Sequence, residues 1–106
     1  MMAALFAARE GARVALMERN EKLGKKLYIT GKGRCNLTNA ADAETFQRRI
    51  YRNPRFMFAS FAALDNEATM RLFESLGVPL KVERGGRVFP CSDPSRGGIR
   101  GLPREP

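Results

Sequence analysis

Residues 24–39 read GKKLYITGKGRCNLTN and follow an apolar run at 14–17, Val-Ala-Leu-Met, that ends in Glu18. A lysine pair, a short β-like run, a Gly-Lys-Gly turn and an Arg-Cys-Asn-Leu-Thr-Asn cluster come in succession. Gly31 and Gly33 admit positive φ and let backbone N–H groups approach a flat or anionic ligand. Lys25 and Lys26 offer point charges to phosphate oxygens. Asn36, Thr38 and Asn39 supply donors and acceptors that a loop can aim. The combination suits a phosphate-bearing cofactor. Each residue also has a plainer use, as a surface lysine, a turn glycine or a side chain bonded to its own backbone.

Upstream, Ala and Leu dominate residues 2–10 with no Gly or Pro, which predicts a helix. Gly11 is a natural stop. The run at 13–18 reads as a strand buried on both faces. A helix, a glycine turn and a buried strand ending in an acid form the second half of a βαβ unit. Its first strand and turn are then expected before Met1. A carboxylate at the end of such a strand accepts hydrogen bonds from ribose hydroxyls, which is the role predicted for Glu18. A strand-end surface charge is the plainer one.

Downstream, Leu27-Tyr28-Ile29 suggests a brief extended segment. Residues 42–52 predict a helix with Phe46 and Ile50 on its apolar side. Asn53-Pro54 starts a second, to about residue 64, with Asn53 as cap and Pro54 in the first turn. Asp65 caps a third, carrying Met70, Phe73 and Leu76, and Gly77 ends it. The runs 80–84 and 87–90 flank Gly85-Gly86, a two-residue hairpin signal. Residues 94–106 are Gly-, Pro- and Arg-rich, and a disordered tail is expected there after a domain over 1–93.

The chain has 106 residues, room for one small domain, and no histidine. Ser-His and Cys-His dyads are therefore excluded, no zinc set is expected, and the phosphate-loop pattern GxxxxGK[ST] is absent. No apolar run nears the roughly 18 residues of a membrane span. The N-terminus lacks the basic and apolar regions of a secretory signal, so a cytoplasmic protein with Cys35 and Cys91 as free thiols is expected. The net charge is +8, and 14 of the 19 basic residues are arginines. That charge favours anionic partners. Arg48, Arg49, Arg52 and Arg55, with Tyr51 and Phe56 between them, make a small nucleic-acid-binding module the alternative reading.

Arg34 is a candidate partner for a phosphate or for charge developing on a flavin ring. Cys35 beside it is a candidate low-pKa thiol, although no CxxC partner exists. Taken whole, residues 24–39 resemble the signature GRKL-x-[IM]-[TS]-GGGRCN-x-TN of a bacterial family of NAD(P)/FAD-dependent oxidoreductases that includes a bile-acid reductase. Gly86-Arg87-Val88-Phe89-Pro90, with Ser92-Asp93, matches a second stretch of that family. Lys25 stands where the family usually has Arg, and Lys32 replaces the middle glycine.

The resemblance implies an α/β fold, a partial Rossmann-like FAD-binding domain truncated at both ends. The implied cofactor is FAD, with NAD(P)H as reductant. Glu18, Lys25, Lys26, Gly31, Gly33, Arg34, Cys35, Asn36, Thr38 and Asn39 become the cofactor-binding set. Partners are then flavin and a small-molecule substrate in the full-length parent, with neither nucleic acid nor membrane. Losing the first strand would leave the 14–17 run without ladder partners, each buried unpaired group costing about 1–3 kcal/mol. A marginally folded fragment, inactive alone and unable to hold FAD tightly, is therefore expected.

Overall fold

The computed structural model describes residues 1–91. Helix α1 (Met2–Arg9) opens the chain. The N–H of Gly11, with φ of 83°, bonds Ala8, and that of Ala12 bonds Ala7. These crossed bonds satisfy the last carbonyls of α1, the stop predicted from Gly11. Residues 13–18 then differ from expectation. They form no strand, and Val14, Leu16 and Met17 are 42%, 47% and 95% exposed. A strand exists only where a ladder partner does, and among the described residues none lies beside this run.

Helix α2 (Lys25–Gly33) includes Leu27-Tyr28-Ile29, which are helical and not extended. It is broken at its end, where Thr30 is extended (φ −66°, ψ 156°) and Gly31 and Lys32 are left-handed. Strand β1 (Thr38–Asn39) follows, an element that composition did not reveal.

Helix α3 (Ala43–Arg48) is shorter than predicted and is capped by the Asp42 side chain, which accepts the Thr45 N–H. Ile50 and Tyr51 are poor helix formers, and Pro54 disfavours helical geometry at Asn53. Asn53 is left-handed (φ 52°) and its side chain caps nothing, so a 3-10 turn (Pro54–Met57) leads into α4 (Phe58–Ala63). The rings of Phe46 and Phe61 pack α3 on α4 at 5.1 Å. Helix α5 (Asn66–Ser75) is as predicted. Asp65 accepts the Ala68 N–H at its start, and Gly77 and Val78 repeat the crossed bonds at its end.

Strands β2 (Leu80–Glu83) and β3 (Arg87–Pro90) pair antiparallel with Glu83 opposite Arg87. The connection is thus three residues, Arg84 to Gly86, rather than two. Gly85 and Gly86 both take positive φ, which lets the turn close. β1 pairs antiparallel with the other edge of β3, so the sheet order is β1-β3-β2. A mixed set of helices on a small antiparallel sheet is a partial α/β domain, as expected. The tail expected at 94–106 lies outside the described residues. Among the described residues no helix is long and apolar enough to cross a membrane.

The core is small. Cys35, Leu72, Val78, Val88 and Phe89 are its buried apolar members. The radius of gyration, 15.0 Å, exceeds the roughly 12–13 Å of a compact domain of this length. α1, the start of α2 and the end of α5 converge on an apolar cavity of about 110 Å³ that they do not fill.

One buried polar side chain joins the parts. Asn66, 7% exposed, donates to the carbonyls of Asn39 (2.6 Å) and Ala41 (2.8 Å). It fastens α5 to the end of β1. Asn66→Ala removes both donors and strands two acceptors. The expected loss is about 1–3 kcal/mol, read from the urea midpoint.

Candidate functional site

The left-handed geometry at residues 31–35 shapes the centre of the candidate site. Gly31, Lys32, Gly33 and Cys35 all have φ between 58° and 83°, and two of them are not glycine. For L-residues that conformation costs roughly 1–2 kcal/mol each, so the loop must be braced from outside. Three contacts supply the brace.

The first is steric. A Cβ on Gly31 would stand 2.7 Å from the Phe89 ring and 3.0 Å from the Asn36 nitrogen. Gly31 therefore serves close packing on Phe89, which is 1% exposed. Gly33 differs, since a Cβ there would meet nothing within 4 Å. Of the two glycines on which the sequence reading relied, one faces the core and one faces open space.

The second contact is ionic. Arg34 Nη1 donates to both carboxylate oxygens of Glu83, at 2.9 and 3.2 Å. The guanidinium also lies 4.3 Å over the Phe89 ring. Lys81 joins Glu83 at 3.0 Å. Hydrogen bonds from Lys81 and then from Arg34 hold the Glu83 carboxyl below the usual carboxylate range. Such a depressed value favours the fold above the ordinary glutamate pKa and is lost as pH falls through the folded value.

The third contact is at the far end. Asn39 Nδ2 donates to the Gly85 carbonyl and Asn39 Oδ1 accepts the Ala41 N–H, both at 2.9 Å. A Cβ on Gly86 would sit 2.6 Å from that Oδ1. The Gly85-Gly86 turn is the seat of the Asn39 side chain. Leu37 and Ala40 add backbone bonds to Val88 and Gly86.

Gly31, Arg34, Cys35, Thr38 and Asn39 are thus brought together against β3. Cys35 is 6% exposed, and burial pushes its thiol pKa up. The low-pKa nucleophile considered from sequence is corrected: desolvation by burial moves the thiol the other way. Lys32, Gly33, Arg34 and Asn36 are the exposed residues of the loop, with Arg34 laid back over Phe89.

No hydrogen bond ties Glu18, Lys25 or Lys26 to that cluster. Glu18 Oε1 accepts from the backbone and side-chain nitrogens of Asn20, at 3.0 and 2.9 Å. Those bonds, the backbone one first, hold its carboxyl below the usual range. Lys25 pairs with Glu21 at 3.1 Å, and Lys26 is exposed beside it.

Sequence reasoning missed Asn66, Glu83 and the role of Phe89. Phe89 and Gly86 lay within the second matched stretch, which was the available signal. In the arginine-rich stretch, Arg48 pairs with Glu44, Arg49 lines a groove of about 530 Å³ with Phe46 and Ile50, and Tyr51 and Phe56 are exposed.

Comparison with known proteins fits the two motifs. A family model described as the HI0933-like protein Rossmann domain matches residues 1–105. The 3-dehydro-bile acid delta(4,6)-reductase of Clostridium scindens is 40% identical over 96 residues, covering 88% of this chain. The chain spans about a fifth of that relative's length, 22%.

Two outcomes follow from the loop geometry. Gly31→Ala combines a left-handed penalty with a clash on Phe89 and should cost about 2–4 kcal/mol, against about 1–2 for Gly33→Ala. Denaturant titration of both variants reads the difference. Iodoacetamide at pH 8 should alkylate exposed Cys91 well before buried Cys35, as peptide mass spectrometry would show.

Proposed function

The chain belongs to the HI0933-like Rossmann-domain family, and from that membership we propose that it builds part of the FAD-holding region of a flavin-dependent oxidoreductase. A bound flavin supplies hydride and electron chemistry, and the protein binds and orients it. The observation that carries the reading is the braced left-handed loop. Its closed side is filled by Phe89, and its open side, at Gly33, has room for a ligand. A braced backbone turn with an open side suits a flat, anionic molecule.

The predicted residues divide by what they face. Gly31, Arg34, Cys35, Thr38 and Asn39 frame the loop. Gly33 and Asn36 stand on its open side. Glu18 is ionised, and both of its described bonds fall on Oε1, which leaves Oε2 for a ribose hydroxyl. Lys25 and Lys26 stand at the start of α2 and present two exposed ammonium groups. That end is suited to phosphate oxygens.

The reductase relative supports reduction of a small organic substrate; NAD(P)H as the source of reducing equivalents is part of the proposal. The reading gives no role to nucleic acid. An oligonucleotide titration at two salt concentrations checks that, because Tyr51 and Phe56 are exposed beside arginines.

FAD titration of the chain, followed by flavin fluorescence and amide chemical shifts, tests the proposal. Binding weaker than about 1 μM is expected, since one loop and one strand end supply few contacts. Shifts should fall at Lys26, Gly33 and Asn36. Glu18→Gln should weaken FAD about tenfold and leave FMN, which lacks the adenosine ribose, unaffected. Shifts confined to other parts of the chain, or equal losses for FAD and FMN, would overturn it.

A further inference from the structure

We propose that Arg34 acts chiefly as a surface strut for the left-handed loop rather than as the cation that meets the ligand, and that Glu83 and Phe89 are positioning residues acting through it. The inference rests on the flavin-cradle reading for the identity of the ligand, but not for the strut itself.

The Arg34 side chain is 40% exposed and no described bond uses Nη2, but the rest of its donor fork is committed to the protein. Nη1 is engaged by both Glu83 oxygens, and Nε donates to the Gly31 carbonyl at 3.4 Å. One face of the guanidinium is covered by the Phe89 ring, 4.3 Å away. Its charge is met by a carboxylate whose side chain is 26% exposed. An arginine so paired adds little attraction for an incoming anion, because the nearby negative charge opposes it.

The same contacts have a clear structural use. Left-handed residues bracket Arg34, with Lys32 at φ 58° and Gly33 at 83° before it and Cys35 at 61° after it. Cys35 is further tied by its N–H to the Thr30 carbonyl at 3.0 Å. A strained run of this kind persists only when its surroundings over-determine it. Arg34 reaches from the middle of the run to β2 and the ring on β3, and so fixes which way the amides of Lys32 and Gly33 face. Lysine at position 34 would keep the charge but lose both the stacking plane and the fork. Both residues are exposed, but Arg34 is turned toward Glu83 and Phe89, so Lys32 is the cation assigned to the open side.

The two roles predict opposite signs. Amide hydrogen exchange at Gly33 and Cys35, and FAD affinity, are measured for the 106-residue chain and for Arg34→Gln, Glu83→Gln and the double variant. For a strut, each single change should speed exchange by about 2- to 5-fold, with α5 unchanged. The double variant should fall short of the sum of the singles, since the ion pair is lost in each. FAD affinity should fall in all three, in parallel with the gain in exchange. For a ligand cation, Glu83→Gln frees the guanidinium, so FAD affinity rises while Arg34→Gln lowers it and exchange stays unchanged. That pattern overturns the proposal, as does additivity in the double variant.

Should the variants unfold, the unsubstituted chain still decides. The Arg34 Nε–H resonance should move as Glu83 protonates, at a pH below about 4.3, the ordinary glutamate value. Lys81, Arg34 and, across the ladder, Arg87 are the charges that face it. No movement there counts against the strut. Failure of FAD to bind at all would remove the flavin reading, and the exchange and resonance results would still test the strut.

Discussion

The contact between Gly31 and the Phe89 ring governs how the rest of the described chain is arranged. It places a backbone turn where any side chain would collide, at 2.7 Å, with one of the two most deeply buried large side chains among the described residues. Two demands meet at this position. The turn requires positive φ, and the ring requires the absence of a Cβ. Only glycine meets both. Once Gly31 is seated, the residues after it leave in a fixed direction, and β1 falls beside the free edge of β3.

Two stretches about fifty residues apart in sequence therefore make one object. β3 is the middle strand and Val88 and Phe89 are its anchor, 0% and 1% exposed. On one side it carries β2, which brings Glu83 under Arg34. On the other it carries β1, whose Asn39 enters the Gly85-Gly86 turn. Asn66 then joins this sheet to α5. The family resemblance of both stretches has a physical basis in this arrangement: each supplies half of the contacts that hold the left-handed loop.

Local rules made much of this legible. The glycine stops of α1 and α5, the aspartate cap of α5, and the hairpin all follow from side chains acting on their immediate neighbours, and all are present, the hairpin with one more connecting residue than expected. The failures have a common cause. The 13–18 run has the composition of a buried strand, but a strand needs a second backbone, and composition does not say where that backbone is. Leu27-Tyr28-Ile29 is β-like by residue type and helical in fact, because three residues of propensity weigh little against the turn that follows. β1 is two residues long and is defined by its partner alone. In the site, the residue types were read correctly, but their directions were not. Nothing in the sequence says that Gly31 points inward and Gly33 outward, or that a glutamate 49 residues away neutralises Arg34.

Direction also decides how the net charge of +8 is to be understood. A large positive total invites the idea that every basic residue near the loop attracts an anion. The ion pairs divide that total. Arg34 is matched by Glu83, Lys25 by Glu21, Arg48 by Glu44 and Arg71 by Glu67. The exposed pairs are screened and exchange easily with a better partner, as Lys25 can when a phosphate arrives. The Arg34–Glu83 pair is different, because stacking on Phe89 and the bond to the Gly31 carbonyl hold the guanidinium independently of its charge. If the loop holds a flavin as proposed, selectivity for a flat anion comes less from total charge than from a loop braced on one side by an arginine and carrying Lys32 on the other. A basic surface without that brace would attract many anions, and the brace restricts which shape can lie against the backbone.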